Sequence, residues 1–220
     1  TLYFNRPSII QAFQSYVAPY DMTDEKIALK VKHTYHVAEL CEQIARSEGM
    51  SEDDISLAWL SGMLHDIGRF EQIRRYGTFS DANSIDHAQF GADLLFSEGL
   101  ILNFPYPDES WTPILEQAIR CHSMYRIPDT ICGRNLIFCQ ILRDADKIDI
   151  LRVQVETPVE KIYDVTSEEL QTSEISPQVM NSISEKHATL RSLKKTPVDH
   201  IAGHISLVFE LVFSESWHIV

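Results

Sequence analysis

Apolar residues recur at intervals of three and four along most of this 220-residue chain, while alternating strand patterns and Asn-Gly or Asp-Gly hairpin turns are scarce. That period predicts an all-α protein. Leu29, Val37, Leu40 and Ile44 share one stripe with His33, on a helix expected to start at Asp24 and stop at Gly49. Ser51-Glu52-Asp53-Asp54 should open a second helix, running through Ile55, Trp59 and Met63 to His65-Asp66 and stopping at Gly68. Further helices are predicted from Asp86 to Phe96, from Thr112-Pro113 to about His122, and from Leu136 to Val153.

After Glu156 the sequence becomes richer in Ser, Thr, Pro and charge. We therefore expect a core over residues 1–156 and a smaller C-terminal helical appendage over 157–220, which ends in an apolar helix from Val198 to Phe213. The four cysteines, Cys41, Cys121, Cys132 and Cys139, show no C-x-x-C spacing, and each sits in an apolar segment. Reduced thiols in a cytoplasmic protein are expected. The longest apolar run is broken by Glu210, so neither a membrane span nor an export signal is expected. A formal net charge of −13 argues against a nucleic acid polymer or an anionic membrane as partner. A small anionic substrate would need local cations or a bound metal.

Imidazoles and carboxylates are the expected ligands of a catalytic transition metal. Separate helices here offer His33, His65-Asp66, His87, His122 and either Asp144 or Asp146. A single histidine on an apolar face is usually a hydrogen-bonded core residue, but five segments each presenting a ligand on a stripe or near a helix end favour a metal site. Periodicity leaves Asp144 and Asp146 equally placed, the first in line with Ile137, Ile141, Ile148 and Leu151, the second with Leu142 and Ile150. His200 and His204 have the i, i+4 spacing of a two-histidine site but no third ligand, and are read as structural or exposed.

The pieces HTYHVAEL, GMLHDIGRF, HAQFGADLL, AIRCHS and RDADKIDIL, in that order over residues 33–151, resemble the HD-domain superfamily of metal-dependent phosphohydrolases. The resemblance implies an HD-domain helical bundle in which His33, His65, Asp66 and Asp146 form the basic metal set and His87 and His122 extend it to two ions. The Ala-Asp-Lys context selects Asp146 over Asp144, and the family pattern, which places the ligand first in HTYHV, leaves His36 in a supporting or exposed position. HAQFG is similar to a segment of the two-metal HD-GYP phosphodiesterases, but Ser123-Met124-Tyr125 follows His122 where that family has Gly-Tyr-Pro. Cyclic dinucleotide hydrolysis is therefore not expected.

The implied activity is hydrolysis of a small phosphate ester, a nucleotide among the candidates. One or two divalent transition-metal ions (Mn, Fe, Co, Ni or Zn) would be the cofactor, with Asp66 bridging in the two-ion form. Arg69 and Lys147 are the expected phosphate contacts, ahead of Arg74, Arg75 and Arg126. The loop from Arg74 to Ser84 is a candidate lid, and a homodimer through helical surfaces is a candidate assembly. The alternatives are an HD-type di-iron oxygenase and a non-catalytic HD ligand-binding module.

Overall fold

The computed structural model describes residues 4–163 and 165–220, and among these there is no strand. The chain divides into two compact units at Ala145/Asp146. In the first lie α1 (Arg6–Val17), α2 (Glu25–Ser47), α3 (Glu52–Leu64), α4 (Ile67–Tyr76), α5 (His87–Ala92), α6 (Thr112–Cys121) and the start of α7 (Gly133–Glu156). The division falls inside α7, upstream of the composition change at Glu156. No helix of the described residues is long and apolar enough to cross a membrane.

Two capping residues act as the sequence predicts. The Asp24 carboxylate accepts from the Lys26 amide and the Ser51 hydroxyl accepts from the Asp54 amide, opening α2 and α3. Gly49, just past α2, has the left-handed φ of 67° that suits glycine. α3 is the central helix, because its residues from Leu57 to Leu64 are all buried. It lies along α2, with Gly62 against Ala38; a Cβ at Gly62 would sit 2.5 Å from the Ala38 Cα.

The ends of α3 and α4 correct one expectation. The helix does not run on to Gly68: α3 stops at Leu64, His65 is its C-cap, and Asp66 (φ −103°, ψ 16°) begins α4. Gly68 lies inside α4 and lets it meet α5, since a Cβ there would fall 2.6 Å from the His87 carbonyl oxygen and 2.7 Å from the Gly91 nitrogen. Arg74 and Arg75 likewise belong to the last turn of α4, paired with Glu71, and not to a loop. α1, for which no pattern was assigned, packs Phe13 and Tyr16 edge-on against Phe70 of α4, with centroids 5.9 and 6.1 Å apart.

The second unit holds the rest of α7, then α8 (Val159–Tyr163), α9 (Ser167–Thr172), α10 (Pro177–Ser184), α11 (Pro197–Ile205) and α12 (Ser214–Ile219). The expected helix from Val198 to Phe213 is broken: α11 ends at Ile205 and a 3₁₀ segment covers Ser206–Glu210. Ser206 turns its hydroxyl back to the Gly203 carbonyl, 2.7 Å away, and accepts from the Thr189 amide. Fully buried Asp199 ties α11 to the start of α10, accepting from the Ser176 amide and hydroxyl (2.8 and 2.6 Å) and from the Lys195 and Thr196 amides.

Two outcomes follow. Gly68→Ala should lose about 1–3 kcal/mol of stability in urea denaturation, because the clash is with backbone that cannot rotate away. For Asp199→Ala the cost is roughly 1–3 kcal/mol, as buried donors lose their acceptor. Burial alone would raise the Asp199 pKa, but the Ser176, Lys195 and Thr196 donors outweigh it and hold the carboxyl at about 2. Its contribution should thus be full above the ordinary carboxylate range and fade as pH falls towards 2, which wild type and variant melted side by side across that window would show.

Candidate metal centre

The buried helix α3 delivers His65 and Asp66 into the interior of the first unit, and three other helices aim imidazoles at the same carboxylate. His33 comes from the middle of α2, His87 from the first turn of α5, and His122 from the C-cap of α6. All five side chains are at most 4% exposed. Asp66 Oδ2 lies 3.6 Å from Nε2 of both His33 and His65. Its Oδ1 faces the other pair, 3.5 Å from His87 Nε2 and 3.8 Å from His122 Nε2. Each carboxylate oxygen thus serves one histidine pair, giving two groups of three donor atoms that share Asp66.

The histidine tautomers follow from their outer contacts. His65 Nδ1 meets the Gly62 carbonyl at 2.7 Å and His122 Nδ1 meets the Ile119 carbonyl at 2.6 Å, each binding back to its own helix three residues earlier. A carbonyl only accepts, so both Nδ1 atoms carry the proton and both Nε2 atoms are lone pairs in the neutral ring. His87 Nδ1 is 2.7 Å from Asp81 Oδ2, an arrangement with the same result. Yet the Nε2 atoms of His33 and His65 stand 3.3 Å apart, and those of His87 and His122 3.1 Å apart. For His87 and His122, whose Nε2 atoms both carry lone pairs in this tautomer, so close an approach is repulsive unless a cation lies between them. Two nitrogens about 2.0–2.1 Å from one ion, at roughly 90–109°, would be about 2.9–3.4 Å apart, so the donor set fits a divalent transition metal.

Charge around the cluster is arranged to keep these groups in ligand form. Burial would raise the Asp66 pKa, but the Lys30 ammonium, 2.7 Å from Oδ2, with His65, His122 and His87, outweighs it and holds the carboxyl well below its ordinary range. Burial and the neighbouring Arg69 lower His87 to about 3, which leaves it a neutral imidazole. For Asp81, burial is outweighed by His87, Arg69 and Gln72, so it too is a carboxylate.

Arg69 lies inside α4, with Nη1 bound to Asp81 Oδ1 and the Phe79 carbonyl, both at 2.7 Å. Its Nε, buried without a hydrogen-bond partner, is 3.7 Å from Asp66 Oδ1. Lys30 and Asp81 were missed. Lys30 carried a signal, since it precedes His33 by three residues and so shares its helix face. Asp81 carried none, because it comes from a single 3₁₀ turn, Asp81–Asn83. Buried Gln72 ties that part of the candidate lid to α4 through Asp81, Ser84 and the Ile85 carbonyl.

The sixth expected ligand, Asp146, and Lys147 open the second unit on α7; Asp146 is half-buried and Lys147 buried. Asp144 is buried in the first unit. His36 is half-buried and Arg126 exposed. None of the four cysteines is in a disulfide, and Cys132 is exposed rather than packed in an apolar segment. Arg143, also unforeseen, binds the Cys121, Met124 and Tyr125 carbonyls and so fixes the chain on both sides of His122.

Residues 31–151 match the family model described as HD domain, and no curated protein or solved structure matches the chain. Asp81→Ala should weaken metal binding about 10–100-fold by freeing the His87 ring, as chelator competition would measure.

Proposed function

The chain belongs to the HD-domain family, and from that membership we propose that it is a metal-dependent phosphohydrolase acting on a small phosphate ester. The observation that carries the reading is the shared carboxylate: one buried Asp66 presents an oxygen to each of two histidine pairs, 3.5–3.8 Å from every Nε2. His33 and His65 would hold one ion, His87 and His122 a second, and Asp66 both. A divalent ion bound there lowers the pKa of a water ligand into the neutral range and offsets charge on a phosphoryl group.

The chain's own residues supply the rest. With Nδ1 engaged by Asp81 or by a helix carbonyl, the rings of His65, His87 and His122 turn Nε2 inward and are kept from rotating. Lys30 and Arg69 flank the two oxygens of Asp66, and each lies 5.9 Å from the Phe79 ring. Both are placed to hold an anionic substrate, Arg69 with an Nε–H not otherwise engaged. Asp146 and Lys147 remain in the proposed set as sixth ligand and phosphate contact, supported by the Ala-Asp-Lys context of α7.

The test is phosphate release from a panel of phosphomonoesters, phosphodiesters and nucleotides, with each divalent ion in turn, by wild type, Asp66→Ala and Asp146→Ala. Turnover by wild type, abolished together with metal content in Asp66→Ala and reduced at least tenfold in Asp146→Ala, is the expected result. No release with any ion, together with oxygen uptake by iron-loaded protein, would overturn the reading in favour of an HD-type oxygenase.

A further inference from the structure

α11 carries His200 and His204 one turn apart, with Gly203 between them. Across Gly203 runs the side chain of Lys194. A Cβ at position 203 would overlap the lysine Cε and sit 2.9 Å from its Nζ, so glycine is what makes room for this stem. The ammonium ends half-buried, and among the described residues it has no hydrogen-bond acceptor and no ion-pair partner. Its one nearby carboxylate, Asp199, is taken up by Ser176 and the Lys195 and Thr196 amides.

The other groups in electrostatic reach add more positive or neutral character. Arg191 acts on both Lys194 and His204, His200 acts on His204, and the Asp146 carboxylate also acts on His204. The effect is visible on the lysine. Burial, then Arg191, pulls Lys194 down to about 8. An ammonium drawn out of water without a counter-charge costs free energy that a bound anion would relieve.

The geometry points to an oxyanion site in the second unit, at the Gly203 crease, in which Lys194 is the main donor and a phosphoryl group the ligand. Arg191, His200 and His204 lie within electrostatic reach of it. A tetrahedral oxyanion suits this setting better than a planar carboxylate, because the cationic and imidazole groups belong to two segments and a tetrahedral ligand presents oxygens in several directions. The site stands on residues of α11 and its preceding turn alone, and so does not depend on the phosphohydrolase reading.

The test titrates inorganic phosphate into the full chain, as purified and after EDTA treatment, with acetate as the planar control. Wild type, Lys194→Ala, Lys194→Arg and Asp66→Ala are compared. Binding should survive EDTA and Asp66→Ala, exceed that of acetate, and fall about tenfold or more in Lys194→Ala with partial rescue in Lys194→Arg. Should Lys194→Ala fail to fold, reductive methylation of wild type read by peptide mass spectrometry gives the same answer, since phosphate should protect Lys194 selectively. Unchanged affinity in Lys194→Ala, unchanged labelling, or phosphate binding that vanishes with EDTA or Asp66→Ala would each overturn the proposal. Loss of turnover in Asp66→Ala with phosphate protection of Lys194 intact would separate the two sites.

Discussion

The buried carboxylate of Asp66 is the constraint around which the first unit is built. An ionised carboxylate at 2% exposure is costly unless charge and hydrogen bonds surround it. Here the charge compensation comes from the Lys30 ammonium of α2 and the Arg69 guanidinium of α4, while four imidazoles from α2, α5, α6 and the junction after α3 surround the same two oxygens. No two of those helices can shift relative to each other without disturbing a contact to the same two oxygens. The apolar core supplies the driving force for collapse, and Asp66 selects the arrangement in which the helix ends converge.

That convergence depends on how the helices end. His65 and His122 both sit where a helix leaves its last carbonyls unsatisfied, and both use Nδ1 to bond back by three residues. One hydrogen bond therefore finishes the helix and fixes which nitrogen faces inward. α5 solves the same problem from its other end: Asp86 caps the Ala88 and Gln89 amides while His87, at the first helical position, takes its orientation from Asp81. Gly68 and Gly91 bring α4 and α5 within backbone contact, which sets the reach from Asp66 to His87.

Much of this was legible in the sequence, because helical period and capping residues are local signals. The starts at Asp24, Ser51 and Thr112 and the histidines of α2, α5 and α6 could be read directly. Gly68 was misread because a glycine after a periodic run looks the same whether it ends a helix or admits a neighbour; only the position of α5 distinguishes the two. The break after Ile205 was hidden for a related reason. Ser206 favours its back-bond to Gly203 and its contact with Thr189 over continuing the helix, and the second of these is a tertiary contact. Asp81 and Arg143 act through loops, where spacing carries no periodic information.

Asp81 also links the two tasks of the site. One of its oxygens orients the His87 ring and the other holds Arg69, so the aim of the imidazole and the placing of the guanidinium share one support. The charge around Asp66 follows the same logic. Without an ion, Lys30 and Arg69 are set against Asp66 and Asp81, and the interior is near balance. Addition of one or two divalent ions to the donor set turns that balance positive, in a chain whose formal net charge is −13. An anionic substrate of the proposed enzyme would then be drawn to an interior region whose sign is reversed by the metal. In the proposed enzyme, substrate affinity and catalytic competence would therefore rise together with metal loading, as they must if phosphate is to be bound where it can react.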